Sequence, residues 1–148
     1  MTDIYFEDFC NGQTFELGSH TIRKKEILEF ANEFDPQTFH IDENAAKRSI
    51  YGEIIASGWH TGSIYMRLLY DGLLNRVASM GSPGAEISWL LPVHAEDTIS
   101  AYCKIDGTRL SESKPDRGLI EMIGYITEEG FRVTDDIENL ILKLKQDR

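Results

Sequence analysis

Asp35 and His40 are the residues whose types and spacing point most directly to chemistry. They stand five positions apart in the segment Asp-Pro-Gln-Thr-Phe-His, residues 35–40, and a turn at Pro36 allows both side chains to reach one water molecule. An imidazole titrates near neutrality and a neighbouring carboxylate can orient it, so the pair suits general acid/base catalysis. Each residue also has an ordinary interpretation, since an Asp before Pro commonly caps a turn and a single His can be a hydrogen-bonded loop residue.

Helical signals surround this pair. Pro36 ends the first predicted helix near its preceding residue, which places Asp35 at a helix end. The predicted helices span residues 24–34, residues 42–48 with Asp42 as the N-cap, and a longer stretch from Ser57 or Gly58 to about Asn75. The third of these helices is apolar over more than one face, which is typical of a buried helix.

The rest of the chain predicts a sheet. Alternating or continuous apolar residues predict strands over residues 14–22, 85–93, 98–110 and 119–127, with turns at 81–84 and 128–130. The last segment, from Ile137 to Leu144, fits the periodicity of a helix and of a strand equally well. These elements predict an α+β fold in which an antiparallel sheet wraps a long central helix.

Composition limits the class of protein. A chain of 148 residues predicts a single domain over residues 1–148, and its net charge of −10 argues against nucleic acid as a partner. A local cluster of Lys and Arg would still allow an anionic group such as coenzyme A to bind. No signal peptide or membrane span is visible, and Cys10 and Cys103 form no disulfide framework or metal pattern. We therefore expect a cytoplasmic protein.

Two linked motifs resemble those of the MaoC-like dehydratases, a family that includes the (R)-specific enoyl-CoA hydratases. The first motif is Asp-Pro-Gln-Thr-Phe-His-Ile-Asp at residues 35–42, and the second is Ile-Ala-Ser-Gly-Trp-His-Thr at residues 55–61. The resemblance spans nearly the whole chain and implies a hotdog fold, in which the last segment becomes a strand. It also implies a homodimer or a larger homo-oligomer.

The resemblance further implies roles for individual residues. Asp35 and His40 fall on the family's catalytic pair, which activates the water added to, or removed from, an acyl-CoA or acyl-carrier thioester. Gly58 stands at a helix N-terminus, where a backbone N–H would stabilise an enolate-like thioester oxygen. Ser63 matches a family serine that hydrogen-bonds near the catalytic carboxylate. Trp59 replaces a smaller Met, so the acyl pocket is expected to differ in shape and to suit a polar or branched acyl group.

The alternatives on individual residues remain open at this level. Ser63 is equally well explained as a small residue that lets the helix approach the sheet, and His60 is better explained by local packing than as the base. His20 and His94 have no visible partners, and the four histidines lack the spacing of a metal site. Trp59 and Trp89 are most simply core residues.

Three function classes follow from these residues and this resemblance. The first is an acyl-CoA hydratase or dehydratase that needs no metal and no cofactor beyond the coenzyme A of its substrate. The second is a hotdog thioesterase, in which the carboxylate directs water at the thioester carbonyl and free thiol is released. The third is a non-catalytic module that binds acyl thioesters.

Overall fold

The computed structural model describes residues 1–128 and 131–143, the latter range by its backbone alone. Short 3₁₀ turns occur at Phe6–Asp8 and Leu74–Arg76. The helices and strands in chain order are β1 (Thr14–Thr21), α1 (Lys24–Phe34), α2 (Thr38–Ile41), α3 (Glu43–Arg48), α4 (Gly58–Gly72), β2 (Gly84–Trp89), β3 (Thr98–Leu110), β4 (Arg117–Glu128) and β5 (Phe131–Lys143).

The described strands form one antiparallel sheet in the order β1-β3-β4-β5-β2, which leaves β1 and β2 at its edges. Residues on β3 and β4 alternate between buried and exposed positions, so each strand presents an apolar face. Helix α4 packs on that face and contacts β1 and β3. This is the hotdog arrangement, and the α+β fold predicted from the sequence is confirmed.

Two glycines let α4 approach the sheet closely. A Cβ on Gly72 would lie 2.9 Å from the backbone of Leu17 in β1. A Cβ on Gly124 of β4 would lie 2.0 Å from the Tyr65 hydroxyl, whose ring is buried between the helix and the sheet. Because close-packed interiors have no room for extra atoms at such points, both positions fix the distance between helix and sheet.

The segment around Asp35 and His40 contains one element that the sequence did not predict. Helix α1 ends at Phe34, as predicted, with Asp35 as its C-cap. A one-turn helix, α2, then carries His40, where only a turn was expected. Asp42 caps α3 as predicted, because its side chain accepts hydrogen bonds from the backbone N–H groups of residues 44 and 45.

The ends of two predicted elements are corrected by the structure. Helix α4 ends at Gly72 rather than near Asn75, because the chain turns there beside the backbone of β1. Strand β2 ends at Trp89 rather than at Val93. After Trp89 the chain leaves β5, and the Val93 carbonyl instead accepts a hydrogen bond from the Ala56 N–H at 2.8 Å.

The last segment is a strand, as the family resemblance implied, since β5 pairs with both β4 and β2. The predicted turn at residues 128–130 and the last residue of the predicted segment, Leu144, fall partly or wholly outside the described residues.

The interpretation of Trp59 and Trp89 as core residues is wrong. Trp59 is 61% exposed and Trp89 is 43% exposed, and their rings meet edge to face at 5.4 Å. Both lie where α4 begins and β2 ends, on the surface that leads into the cavity described below.

Candidate active site

A cavity of about 390 Å³ lies between the start of α4 and the segment that follows β2. Asp35 and His40 lie on its wall together with Gly58. Polar groups are thus concentrated on one part of a mainly apolar lining, which is the usual composition of a small-molecule site. The remaining lining residues are Gln37, Phe39, Tyr51, Ile55, Ala56, Trp59, Thr61 and the run from Trp89 to Val93.

The imidazole of His40 is buried and held in one orientation. His40 is only 4% exposed, and its Nδ1 lies 2.6 Å from the carbonyl oxygen of Ile55. A carbonyl oxygen can only accept, so Nδ1 carries the hydrogen in this bond. In neutral His40 the free lone pair is therefore on Nε2, which lies 3.3 Å from Oδ2 of Asp35.

The carboxylate of Asp35 accepts hydrogen bonds at both oxygens. Ser57 Oγ donates to Oδ2 at 2.7 Å, and Gln37 Nε2 donates to Oδ1 at 2.8 Å. Burial acts to raise the pKa of Asp35, but these two donors and the charge of a protonated His40 outweigh it. They hold the pKa below its ordinary value of 3.8, so the carboxyl is ionised at neutral pH.

Backbone hydrogen bonds bring the two motifs of the sequence together. The Ile55 N–H donates to the Phe39 carbonyl at 3.3 Å, beside the contact between the Ile55 carbonyl and His40. The Ala56 N–H donates to Val93. The second motif therefore supplies both the Ile55 carbonyl that orients His40 and the Ser57 hydroxyl that contacts Asp35.

Gly58 is the first residue of α4, and it lines the cavity. The first N–H groups of a helix have no partner within the helix, so this end can donate to an oxygen in the cavity. A Cβ on Gly58 would lie 2.4 Å from Cε2 of Trp89, and the Trp89 Nε1–H donates to the Gly58 carbonyl at 3.0 Å. The indole thus requires glycine at this position.

The prediction for Ser63 needs correction. Ser63 Oγ donates to the Trp59 carbonyl one turn earlier in α4, and the residue is exposed. Ser57, which is 1% exposed, makes the contact with the carboxylate that was expected of Ser63. The sequence offered a signal for Ser57, because it stands immediately before Gly58 within the second motif.

The other histidines lie away from the cavity lining. His60 is 6% exposed and stacks on Phe30, with ring centroids 4.8 Å apart, which confirms that it packs locally. His20 Nε2 lies 2.8 Å from Glu26. His94 lies near Glu53 and Asp97, so neither is without a partner. Spatial neighbours from different elements supply these contacts, which the sequence alone could not show.

The described residues offer neither a metal cluster nor a membrane-spanning helix. Residues 1–128 and 131–143 contain no group of three His, Cys, Asp or Glu side chains placed to hold a metal ion. In the same part of the chain, no helix combines the length and apolar character that crossing a membrane requires.

Comparison with known proteins connects this geometry to a family. A family model described as "MaoC like domain" matches residues 9–119, which include both motifs. The chain belongs to the MaoC-like family. A curated relative is the uncharacterised protein YdeM of Bacillus subtilis (strain 168), which is 33% identical over 100 residues, 67% of this chain and 71% of YdeM.

Solved structures agree with this membership. The MaoC-like dehydratase from Rhodospirillum rubrum is 32% identical, with a TM-score of 0.90 over 97% of this chain and 99% of that one. The (R)-hydratase from A. caviae involved in PHA biosynthesis has a TM-score of 0.73 at 23% identity, over 94% of this chain and 99% of that one. At that identity the second likeness shows the shared hotdog fold alone.

Proposed function

We propose that this MaoC-like protein is a hydro-lyase that adds water to, or removes it from, the double bond of an enoyl thioester. The observation that carries the proposal is the 3.3 Å approach of His40 Nε2 to Oδ2 of ionised Asp35 in the cavity, with His40 Nδ1 bonded to the Ile55 carbonyl. With the imidazole in its neutral form these two atoms are both acceptors, and one water molecule can donate a hydrogen to each. The pair is therefore suited to hold and polarise a single water.

Hydration proceeds through His40 as the proton carrier. The water oxygen forms a bond to the β-carbon while Nε2 of His40 takes one of its protons. The resulting imidazolium then protonates the α-carbon, so that hydrogen and hydroxyl are added across the double bond. Asp35 stays ionised throughout and stabilises the transient imidazolium. In dehydration the same Nε2 takes the α-proton and returns it to the departing hydroxyl as water.

The start of α4 stabilises the thioester oxygen in this scheme. Charge moves onto that oxygen as the β-carbon is attacked, and a helix N-terminus donates to an anion at low reorganisation cost. Gly58 provides the N–H, because it is the first residue of α4 and lines the same cavity as Asp35 and His40.

The substrate is proposed to be an acyl-CoA or acyl-carrier thioester, with coenzyme A required only as part of the substrate. A mainly apolar wall from Trp89 to Val93 suits an acyl group, and the described side chains of the site supply the acid/base groups themselves. Adding or removing water leaves the overall oxidation level of the substrate unchanged, so the reaction calls for no redox cofactor.

The protein is also proposed to act as a homodimer or a larger homo-oligomer. Strand β2 is an edge strand, and exposed edges are normally covered or paired. Large apolar side chains outside the cavity lining are also exposed on α4, and a second copy would cover them: Met66 and Tyr70. Sedimentation analysis of the pure protein tests this, and a monomer at micromolar concentration would contradict it.

An assay with two readouts tests the proposed function. The pure protein is incubated with a panel of trans-2-enoyl-CoA and 3-hydroxyacyl-CoA esters, and the enoyl absorbance is followed together with free thiol. Absorbance change without thiol is expected for the wild-type protein and not for Asp35→Asn. Thiol release would indicate a thioesterase, and silence in both readouts would favour a binding module.

A further inference from the structure

We infer that Trp89 is a positioning residue for the proposed reaction. Its indole N–H holds the peptide group between Gly58 and Trp59, so that the start of α4 can donate to the thioester oxygen. The inference rests on the proposed function in one respect, namely that a thioester oxygen binds at the start of α4. It assigns a role to a residue outside both motifs, at the last position of strand β2.

The start of α4 has two backbone donors that are free for a ligand. The N–H groups of residues 60 and 61 both donate to the Ser57 carbonyl, at 3.0 and 3.1 Å. A serine at an N-cap ordinarily accepts a hydrogen bond from the helix with its hydroxyl, but the Ser57 hydroxyl donates to Asp35 instead. Among the described residues, the N–H groups of Gly58 and Trp59 therefore have no acceptor, and both residues line the cavity.

Trp89 holds the peptide group that carries one of these donors. Its Nε1–H donates to the Gly58 carbonyl at 3.0 Å, and that carbonyl shares a planar peptide group with the Trp59 N–H. A carbonyl oxygen can accept two hydrogen bonds, so the indole adds to the partner that this oxygen has within the helix. Fixing the oxygen also fixes the direction of the N–H, and the accepted hydrogen bond strengthens that N–H as a donor.

The indole ring fixes the same peptide group from a second side. A Cβ on Gly58 would lie 2.4 Å from Cε2 of Trp89, so the ring lies directly against the glycine. Because Trp89 belongs to β2, which pairs with β5, both contacts connect the sheet to the start of the helix. Donors that are fixed before charge develops on the thioester oxygen stabilise it without a cost of reorganisation.

Trp59 is a weaker candidate for the same role. Its ring meets the Trp89 ring edge to face at 5.4 Å, but in the described part of the chain its indole N–H makes no hydrogen bond. The hydrogen bond to the Gly58 carbonyl distinguishes Trp89 from this neighbour. A substitution that removes the Trp89 N–H and keeps an aromatic ring therefore separates positioning from packing.

Steady-state kinetics of crotonyl-CoA hydration makes this separation with Trp89→Phe. We expect kcat and kcat/KM to fall together by about tenfold, with KM within about threefold of the wild type, because the lost interaction acts in the transition state. Tyr102→Phe is the control and should match the wild type. It also removes one donor from an aromatic ring, and Tyr102 stacks on Tyr125 outside the cavity lining. Circular dichroism and size-exclusion chromatography establish that each variant keeps its fold and its oligomeric state.

Infrared spectroscopy of a bound, unreactive ester reports on the same donors without requiring turnover. Butyryl-CoA labelled with heavy carbon at its carbonyl is bound to the wild type, Trp89→Phe and Tyr102→Phe, and the carbonyl stretch is recorded as an isotope difference spectrum. Stronger hydrogen bonds to the oxygen weaken the carbonyl bond, so the band should lie at higher frequency in Trp89→Phe than in the other two proteins. An unchanged band in Trp89→Phe would overturn the inference, as would an unchanged kcat, an effect confined to KM, or failure of the wild type to bind the ester.

The two measurements allow the two proposals to fail separately. A band shift in Trp89→Phe without any hydration by the wild type would uphold the role of Trp89 and contradict the hydro-lyase. Hydration that depends on Asp35, combined with an unchanged kcat and an unchanged band in Trp89→Phe, would do the opposite.

Discussion

Two buried histidines, His40 in α2 and His60 in the first turn of α4, have very different surroundings. His40 has a partner at both ring nitrogens, the Ile55 carbonyl at Nδ1 and Asp35 near Nε2, and it lines the main cavity. His60 stacks on Phe30, and its Nδ1 has no hydrogen-bond partner among the described residues. Both are more than nine-tenths buried, so burial alone does not make a histidine an acid/base catalyst.

The charge state of His60 follows from its surroundings. Burial lowers the pKa of His60 below its ordinary value of 6.5; the charge of nearby Glu26 opposes this and that of His20 adds to it. No carboxylate accepts a hydrogen bond from its ring in the described structure, so His60 is a neutral packing residue. Beside His40, by contrast, an ionised carboxylate lies where it would stabilise an imidazolium during the proposed proton transfer.

The largest expected effect separates these two residues. His40→Ala and Asp35→Asn should each lower turnover of an enoyl-CoA about a hundredfold or more, the size typical of lost acid/base groups. The matched substitution His60→Ala should leave turnover within about threefold of the wild type. Thermal melts by circular dichroism check that each variant folds. Comparable losses from His40 and His60 would remove the distinction drawn between them.

Ser57→Ala sharpens the account of the Asp35 side. Loss of a hydrogen bond to a charged, partly buried carboxylate should cost about 2 kcal/mol of unfolding free energy at neutral pH. It should also lower turnover about tenfold, because the carboxylate is less firmly held. A variant as stable and active as the wild type would show that the Ser57 contact is incidental.

The pH dependence of that stability loss gives a second check. The pKa of Asp35 in the folded protein lies below its unfolded value of 3.8. Its stabilising contribution is therefore complete above that value and is lost as the pH falls through the folded pKa. The difference between wild type and Ser57→Ala, measured by urea unfolding, should shrink on acidification below about pH 4. A constant difference would contradict the coupling to Asp35.

His60→Phe tests the other side of the comparison. The substitution keeps an aromatic ring against Phe30 and removes the unpaired Nδ1, so the unfolding free energy should rise by about 1 kcal/mol at neutral pH. The gain should increase below pH 6.5, because there the unfolded chain binds a proton that folded His60 resists. Urea unfolding at two pH values measures both quantities. A loss of stability on acidification relative to the wild type would contradict this account.

Ser63→Ala should have the smallest effect. Its hydroxyl donates within α4 to the Trp59 carbonyl rather than to Asp35. Turnover should therefore change less than about twofold, and stability by less than about 0.5 kcal/mol. A tenfold loss of turnover would instead support the original expectation that Ser63 serves the carboxylate.

Local patterns in the sequence predicted most of the fold. The bounds of α1 and β3 follow from periodicity and from Pro36, and the cap at Asp42 follows from its type and place. The end of β2 could not be predicted, because the Val93 carbonyl bonds Ala56, nearly forty positions away in the chain. The periodicity of β5 was ambiguous until its pairing with β4 and β2 was known.

The sequence predicted the candidate site about as completely as it predicted the fold. Asp35, His40 and Gly58 follow from residue types and two motifs, and the structure brings all three to one cavity. The partners of the carboxylate were not predictable in the same way. Ser57 and Ser63 are both small hydroxyl residues near the start of α4, and only the direction in which each side chain points decides which one reaches Asp35.

Isotope labelling tests the central claim most directly. The protein is incubated with crotonyl-CoA in water labelled with heavy oxygen, and the products are analysed by mass spectrometry for the wild type, Asp35→Asn and His40→Ala. The account predicts label in the 3-hydroxyl group of the intact thioester for the wild type, and at least about a hundredfold less in either variant. Label in a free carboxylate, or equal labelling by all three proteins, would contradict it.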